Sequence, residues 1–400
     1  MSKIFPLKGV IQNYAWGGTK YIPALLKKEV TDEKCAEYWL GAHDKAPSQL
    51  KTLKGDEALN DYLNKDLIAS LGENITNKFG RLPFLFKVLD VHDMLSIQVH
   101  PTKVEAEKGF KHENELGIPL TASNRNYKDD NHKPEIMVAL SEFWLLHGFQ
   151  PKVKLKNMLT SVPEFAHLIS VFEEGGYFGL YKEVMQESQE KTNSVLQPLV
   201  NRILPLYKED ILSKESPDYW AAKAFQQFCK DGVLDKGIYS IYFFNIVKVE
   251  KGEAVFQDAG IPHAYLEGQN MELMANSDNV LRGGLTPKYI DVPELLKHVT
   301  FEPTEPNILN GILQENGLER IYKSTAPDFE LSQIQILNND MYAHNATTAE
   351  ILIVIEGHVT VKEETSEILL EKGGAIFIKY NSFYEITSSN NAIIYKATAP

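Results

Sequence analysis

The sequence has little cysteine, no long apolar run and no excess of positive charge, and each shortage excludes a class of protein. Cys35 and Cys229 are the only two cysteines in 400 residues, so we expect no disulfide framework and predict a reducing, cytoplasmic location. The densest apolar run, Ile351 to Ile355, is strand-length and far too short to cross a bilayer. The first residues lack a long apolar core, so no signal peptide is expected. Any metal site must therefore use histidine, carboxylate or amide ligands.

The net charge is negative, which narrows the class of partner. A formal charge of −13 at pH 7 argues against nucleic acid and against an anionic membrane, because both require a broad basic surface. A small anionic substrate is compatible, because it needs only a local cluster of Lys and Arg. Neither a P-loop nor a G-x-G-x-x-G loop occurs, so no nucleotide cofactor is expected. The sequence does not define an oligomeric state, and a monomer is compatible with it.

The length of the chain and the spacing of its apolar residues predict a mainly β protein with several structural units. A chain of 400 residues exceeds what one core usually organises. Short apolar runs between turn residues predict strands over 1–150 and 233–326, which we expect to form one discontinuous catalytic β domain. Apolar residues at helical spacing predict a helical insert over 151–232. A last β block over 327–400 is predicted to form a second domain without metal.

Two prolines fall within the predicted helical insert. Pro198 and Pro205 interrupt a run whose apolar residues recur at helical spacing. We expect both at helix boundaries rather than deep inside a helix, because proline lacks the N–H that the helix ladder needs.

A short internal sequence repeat indicates two related β units. Residues 249–256 (Val-Glu-Lys-Gly-Glu-Ala-Val-Phe) match residues 370–377 (Leu-Glu-Lys-Gly-Gly-Ala-Ile-Phe) as strand, glycine turn and strand. A common origin and a coincidence between two similar turns both account for one such match. If the repeat is real, the first copy offers His263 as a metal ligand. The second copy has Tyr384 at the equivalent position in the sequence and has therefore lost this ligand.

Four side chains could hold a metal ion. Gln98 and His100 alternate along one predicted strand and so point to the same face. Glu135 follows Pro134 at the mouth of another strand, and a Gly-Ile-Pro turn presents His263 at the start of a third. Each residue taken singly is more commonly a surface or structural group. Together, two nitrogen and two oxygen donors suit Zn²⁺ with one open position.

A polar run over 271–288 could carry the chemistry. It contains the carboxylates Glu272 and Asp278, and it sets Arg282 before two glycines that let a ligand approach the backbone. Arginine offers a planar, bidentate grip on phosphate or sugar oxygens. Lys133, beside the proposed ligand segment, could also meet an anion. An ordinary charged surface loop is the alternative for each of these segments.

These segments, in this order, resemble the type I, cupin-type mannose-6-phosphate isomerases. The resemblance covers most of the chain and also takes in residues 12–17 (Gln-Asn-Tyr-Ala-Trp-Gly), 36–43 (Ala-Glu-Tyr-Trp-Leu-Gly-Ala-His) and 82–89 (Leu-Pro-Phe-Leu-Phe-Lys-Val-Leu). It implies cupin-like double-stranded β-helix (jelly-roll) barrels, one zinc ion per chain and a sugar-phosphate substrate. The zinc ligands that it implies match the four derived from the residues: Gln98, His100, Glu135 and His263. Its substrate-side residues fall on Lys87, Ser96, Lys133, Glu272, Asp278 and Arg282.

The resemblance implies interconversion of mannose 6-phosphate and fructose 6-phosphate through an enediol. We place Arg282 near the developing enediolate and leave proton transfer open among Glu272, Lys133 and Asp278. The alternatives for the phosphate are Lys87, Ser96 and Arg282.

Two other functions compete with the isomerase. A cupin-type dioxygenase or decarboxylase would use iron or manganese, but its site usually has more histidines than the two here. A sugar-binding cupin without turnover would not need acid and base groups beside the metal.

Overall fold

Antiparallel strands form most of the regular structure, which is a computed structural model that describes residues 2–337, 340–364 and 366–400. The strands before the main helical segment are β1 Ile4–Lys8, β2 Val10–Gln12, β3 Glu37–Gly41, β4 Gln49–Thr52, β5 Gly55–Ala58, β6 Phe84–Val91, β7 Gln98–Val99, β8 Glu135–Ala139 and β9 Phe143–Phe149. Those after it are β10 Phe244–Val249, β11 Ala254–Gln257, β12 His263–Ala275, β13 Leu281–Arg282, β14 Ile312–Leu313, β15 Glu319–Tyr322, β16 Glu330–Ile336, β17 Met341–Ala346, β18 Glu350–Glu356, β19 His358–Glu363, β20 Ser366–Glu371, β21 Ala375–Ile378, β22 Ser382–Thr387 and β23 Ala392–Thr398.

Helices lie between and beside the sheets. They are α1 Tyr21–Leu25, α2 Leu59–Lys65, α3 Leu67–Leu71, α4 Glu73–Phe79, α5 Lys103–Glu115, α6 Lys152–Ser161, α7 Leu168–Gln186, α8 Gln189–Lys208, α9 Pro217–Phe228, α10 Gly237–Phe243 and α11 Val292–His298. In the part of the chain that is described, none of them is both long enough and apolar enough to cross a membrane.

The long strand β12 organises the first β unit. Its beginning lies between β7 and β9, and its end lies between β6 and β8. The change of partners occurs at Gly268, whose φ is 124°. A Cβ there would lie 2.6 Å from the carbonyl oxygen of Glu142, so only glycine permits this bend. One strand thus carries both His263, at its start, and Glu272, in its second half, within the same sheet.

A nine-stranded sheet and a four-stranded sheet form the second β unit. The nine-stranded sheet has the order β14-β15-β16-β23-β18-β21-β1-β4-β5, and the four-stranded sheet has the order β17-β22-β19-β20. The N-terminal strand β1 pairs with β21, with Ile4 opposite Ile378. Strands from the start of the chain therefore complete the sheet of the C-terminal block, and the predicted domain boundaries stay a prediction.

The two β units share one apolar core. Leu50 and Phe86 from the first half of the chain belong to the same buried cluster as Ile353 and Phe377 from the second half. Each of these side chains is fully buried. The first β unit, with its polar groups, therefore rests against the second.

The expectation that the two prolines lie at helix boundaries is wrong. Pro198 and Pro205 both lie inside α8 rather than at its ends. The helix runs through them because its apolar face, which includes Leu196, Leu199 and Ile203, is fully buried against neighbouring helices. Packing of an amphipathic face outweighs the backbone hydrogen bonds that the prolines remove.

Candidate active site

Glu135 lies between two buried imidazoles. One of its carboxylate oxygens, Oε1, is 3.5 Å from Nε2 of His100, and the other, Oε2, is 3.4 Å from Nε2 of His263. The three potential ligand atoms lie within 4.8 Å of one another. The three residues come from different strands or strand ends, and the pairing of β7, β8 and β12 brings them together.

The other ring nitrogens fix the direction of both imidazoles. Nδ1 of His100 is 2.9 Å from the carbonyl oxygen of Asn279, and Nδ1 of His263 is 2.9 Å from that of Ile261. A carbonyl oxygen only accepts, so each Nδ1 carries the proton and each Nε2 presents a lone pair. Both Nε2 atoms are buried and have no hydrogen-bond partner within residues 2–337, 340–364 and 366–400. Two lone pairs facing a carboxylate form a donor set that fits a divalent cation.

Burial keeps the imidazole of His100 neutral. It lowers the pKa of His100 to about 4, against the opposing charge of Glu135. Burial raises the pKa of Glu135, but Lys133 and His100 outweigh it, so the pKa lies well below its usual value. The carboxylate of Glu135 is therefore ionised and the imidazole of His100 is uncharged, which are the states that metal ligation requires.

Gln98 lies close to Glu135 and His263. It is directly opposite His263 in the pairing of β7 with β12, and it lines a small inner cavity together with Glu135 and His263. Its amide oxygen would give the donor set a second oxygen ligand. The structure therefore brings the four predicted ligands to one place, while the role of Gln98 as a ligand stays a prediction.

A buried charge network adjoins this cluster. The ammonium of Lys87 is 2.8 Å from Oε2 of Glu272 and 3.6 Å from Oε2 of Glu37. Burial lowers the pKa of Lys87, but Glu272, Glu37 and Glu135 outweigh it and the pKa is raised. Burial, with the charges of Glu135 and Glu37, raises the pKa of Glu272 against the effect of Lys87. Glu272 is thus a buried carboxylate whose proton affinity exceeds that of an exposed glutamate.

Glu37 belongs to this network and was missed as a site residue. It is buried on β3 and accepts a hydrogen bond from the indole N–H of Trp39. Its signal in the sequence was a carboxylate within an otherwise apolar strand, which is an expensive group to bury without a partner.

A larger cleft opens outward from the inner cavity. Its volume is about 740 Å³, and Gln98, Lys87 and Lys133 line both spaces. Ser96 and Arg282 line the cleft, as predicted, and so does Lys288, the last residue of the polar run over 271–288. Lys45 and Lys128 also line the cleft, and sequence reasoning did not assign them to the site.

The cleft contains three cations without an acidic partner among the described residues: Lys128, Arg282 and Lys288. Arg282 lies opposite Gln98 in the pairing of β13 with β7, and neither Arg282 nor Lys288 forms an ion pair there. Burial lowers the pKa of Arg282. Burial, together with the charge of Arg282, lowers the pKa of Lys288. Both effects show that Arg282 and Lys288 are partly desolvated and repel each other, which an anionic ligand would relieve.

The remaining predicted groups are already paired. Lys133 lies 3.1 Å from Oε1 of Glu135. Asp278, at the edge of the cleft, is 2.6 Å from the ammonium of Lys45 and 3.5 Å from Nε2 of His43. Burial raises the pKa of Asp278, but its hydrogen bonds with His43 and Lys45 outweigh it and hold the pKa below its usual range.

Comparison with known proteins identifies the family. Residues 4–152 match the family described as phosphomannose isomerase type I, catalytic domain. The mannose-6-phosphate isomerase of Salmonella typhimurium is 36% identical over 381 residues, which cover 92% of this chain and 93% of that protein. The chain belongs to the mannose-6-phosphate isomerase family. The family resemblance inferred from the sequence motifs is thereby confirmed.

Other members of the mannose-6-phosphate isomerase family agree in length and structure. The human mannose-6-phosphate isomerase is 32% identical over 432 residues, covering 99% of this chain and 98% of that protein. A crystal structure of the Salmonella typhimurium enzyme bound to substrate (F6P) and zinc superposes with a TM-score of 0.88 at 33% identity, covering 100% of both chains. A zinc-bound holo structure of mannose 6-phosphate isomerase has the same TM-score and identity, and it also covers 100% of both chains.

Proposed function

We propose that this chain interconverts D-mannose 6-phosphate and D-fructose 6-phosphate through an enediol, with one bound zinc ion. The observation that carries the proposal is the buried carboxylate of Glu135 between two imidazole lone pairs. This carboxylate lies at the inner end of a cleft whose cations include some without an ion pair in the described part of the chain. The relatives are named for this activity, and one of their structures contains zinc and F6P. Nε2 of His100, Nε2 of His263, Glu135 and the amide of Gln98 would hold the ion.

Zinc, when bound, would polarise or orient the sugar oxygens as a Lewis acid. The protein must supply the proton transfers. Of the three candidates left open by the sequence, Glu272 has the strongest support, because burial raises its pKa toward the range in which a carboxyl exchanges protons. Asp278 has a lowered pKa and two cationic partners. Lys133 is engaged by Glu135. We therefore assign the transfer between C1 and C2 to Glu272.

Arg282 is assigned to the developing enediolate. Residues opposite each other in an antiparallel pair project from the same face, so Arg282 and Gln98 point the same way. Charge on the C1 and C2 oxygens would therefore form within reach of the guanidinium, which carries no competing ion pair among the described residues.

The phosphate is assigned to the outer part of the cleft. Lys87, one of the alternatives, is buried and already engaged by Glu272 and Glu37, so it has little capacity for a second anion. Ser96 and Lys288 line the cleft and provide a hydroxyl and an ammonium that has no ion pair with any described residue. The sugar would then enter with its phosphate outward and its C1–C2 end toward Glu135.

The finer features of the fold and location are part of the same proposal. The two β units are interpreted as cupin-like jelly-roll barrels, with the helical insert at 151–232 and the division at 327 as predicted from the sequence. Both cysteines are free, which supports a reducing, cytoplasmic location. A cleft with local cations inside an acidic chain supports a small sugar phosphate, rather than nucleic acid or a membrane, as the partner.

One assay tests the activity against its alternatives. Purified protein is incubated with mannose 6-phosphate and the fructose 6-phosphate formed is measured, before chelation, after chelation and after zinc restoration. We expect turnover that chelation abolishes and zinc restores. Zinc bound without turnover would indicate a sugar-binding protein instead. Activity restored only by iron or manganese would indicate another kind of metalloenzyme.

A further inference from the structure

The C-terminal barrel repeats the strand pairing of the barrel that contains the proposed metal centre. When the repeated segments 249–256 and 370–377 are aligned, β11 corresponds to β21, and the strands that pair with them, β8 and β18, correspond to each other. Gln257 on β11 lies opposite Glu135, and Ile378, at the corresponding place on β21, lies opposite Glu350. The carboxylate of Glu350 therefore stands where Glu135 stands in the first barrel.

A second pairing follows the same correspondence. In the first barrel, Gln98 on β7 lies opposite His263. In the second barrel, His344 on β17 lies opposite Tyr384. Tyr384 follows its glycine turn at the same distance along the chain as His263 follows its own. Two of the ligand positions thus carry His344 and Tyr384 in the second copy.

A third pairing locates a cation. Glu272 on β12 lies opposite Met137, the second residue after the carboxylate of β8. Lys396 on β23 lies opposite Leu352, the second residue after the carboxylate of β18. Lys396 therefore holds the position that Glu272 holds in the first barrel, and the sign of the charge is reversed.

The outer strands correspond as well. Lys87 lies opposite Glu272, and Ser332 lies opposite Lys396. On β3, Glu37 lies two residues before the residue that pairs with Lys87. On β15, Glu319 lies two residues before the residue that pairs with Ser332. The carboxylate of Glu37 thus has an equivalent in Glu319. A coincidence between two turns would not reproduce this series of pairings, so the repeat includes whole barrels.

The missing ligands have been replaced in a consistent way. His100 lies two residues after Gln98 in the first barrel, and the residue two positions after His344 in the second barrel is Ala346. One imidazole is therefore absent from the second barrel. Tyr384 donates its hydroxyl to Oε2 of Glu350 over 2.6 Å. The first barrel turns an imidazole lone pair toward its carboxylate, whereas the second barrel supplies a hydrogen-bond donor.

Lys396 occupies the centre of this second cluster. Its ammonium is 2.8 Å from Oε1 of Glu319 and 3.9 Å from Oε1 of Glu350. It also donates to the hydroxyl of Tyr342 over 3.0 Å, and Nε2 of His344 is 3.0 Å from the same oxygen of Glu350.

These groups form a buried, charged cluster without a role in the proposed reaction. Lys396, Glu319 and Glu350 are all buried. Burial lowers the pKa of Lys396, but Glu350, Tyr342 and Glu319 outweigh it and the pKa is raised, so the ammonium stays charged. One internal cation balances two carboxylates that are removed from water.

We propose that this cluster is the remnant of a metal site in a duplicated barrel, in which the ammonium of Lys396 has replaced the metal ion. The inference rests on the proposed metal centre of the first barrel, but not on the reaction. It assigns to Lys396 the task of holding Glu319 and Glu350 together. It also predicts that the remaining donors still form a cation site once the lysine is removed.

The test is Lys396→Ala in the zinc-loaded protein. Without added metal, we expect the melting temperature to fall by about 5 to 10 °C, because two buried carboxylates lose their cation. With added Zn²⁺, metal analysis after gel filtration should find two equivalents per chain instead of one. The melting temperature should then return toward that of the unaltered protein, because Zn²⁺ replaces the ammonium between the carboxylates.

Two further variants make the result specific. Lys396→Ala with Glu350→Gln should lose the extra equivalent, because a principal ligand is gone. Lys396→Ala with His100→Ala should keep the extra equivalent while losing the first, which separates this inference from the proposed metal centre. A Lys396→Ala protein that is as stable as the unaltered one, or that gains no metal, would overturn the proposal.

A neutral variant covers the case in which Lys396→Ala does not fold. In Glu319→Gln with Glu350→Gln and Lys396→Met, neither carboxylate requires a cation. We expect this protein to fold, to melt within about 5 °C of the unaltered protein and to bind one zinc equivalent. Failure of this variant to fold would show that Lys396 acts through packing instead, and it would refute the proposal.

Discussion

Replacing Lys87 with Met should move the acid limb of the kcat/KM profile to higher pH. The ammonium of Lys87 lies 2.8 Å from Oε2 of Glu272 and stabilises the ionised form of this proposed base. Two unit charges about 4 Å apart interact by about 4 kcal/mol at an effective dielectric constant of about 20. At about 1.36 kcal/mol per pKa unit, that energy corresponds to about 3 units.

Several effects reduce the shift without changing its sign. Water entering the space of the lost ammonium would favour ionised Glu272, and rearrangement of the neighbouring charges would act in the same direction, so we expect a shift of at least about 1 unit. A base with a higher pKa is protonated over more of the acid range, so activity is lost at a higher pH. The assay follows fructose 6-phosphate formation at low substrate across pH, because kcat/KM reports ionisation of the free enzyme.

A matched control separates this effect from a general loss of positive charge. Lys45 also lines the cleft, but its ammonium pairs with Asp278 at 2.6 Å rather than with Glu272. Lys45→Met should leave the acid limb in place. If Lys87→Met lowers kcat/KM equally at every pH and the limb does not move, the ionisation of Glu272 does not control the reaction.

Three other substitutions test the remaining parts of the site. His263→Ala should abolish zinc retention, and unchanged metal content by mass spectrometry would show that the ion binds elsewhere. Arg282→Ala should keep zinc while lowering kcat by about 10²–10³-fold, the usual effect of removing a charge-stabilising donor, and a near-normal kcat/KM would refute its role. Gly260→Ala should destabilise the fold by about 1–3 kcal/mol in denaturant melts, because φ is 79° and the new Cβ would lie 2.5 Å from Oγ1 of Thr300. It should also weaken zinc binding, since this turn presents His263; unchanged stability and affinity would contradict that reasoning.

The positions of the four proposed metal ligands could be predicted because they follow from local rules, while their role as ligands stays a prediction. The alternation of a strand places Gln98 and His100 on one face, and a Gly-Ile-Pro turn delivers His263 to the start of β12. Glu135 begins β8, as the preceding proline indicated. Each position is set within a few residues of the chain, so the sequence alone contains the information.

The partners of these residues could not be predicted in the same way. Glu37 meets Lys87 through the pairing of β3 with β6, and Lys128 and Lys288 reach the cleft from separate loops. Strand β1 pairs on one side with β21, which lies more than 300 positions later in the chain, as Ile4 opposite Ile378 shows. Contacts between such distant segments depend on tertiary packing, about which composition and periodicity say nothing.

The distribution of charge also orients the proposed substrate. Near the metal cluster, each buried carboxylate of the inner cavity lies beside a cation: Glu272 and Glu37 beside Lys87, and Glu135 beside Lys133. A dianionic phosphate placed there would meet three carboxylates, which costs free energy in a site removed from water. Lys128, Arg282 and Lys288, which have no acidic partner among the described residues, line the wider cleft instead. The same arrangement that lets an acidic chain bind an anion therefore requires the phosphate to stay outward, and it brings the neutral C1–C2 end of the sugar to Glu272.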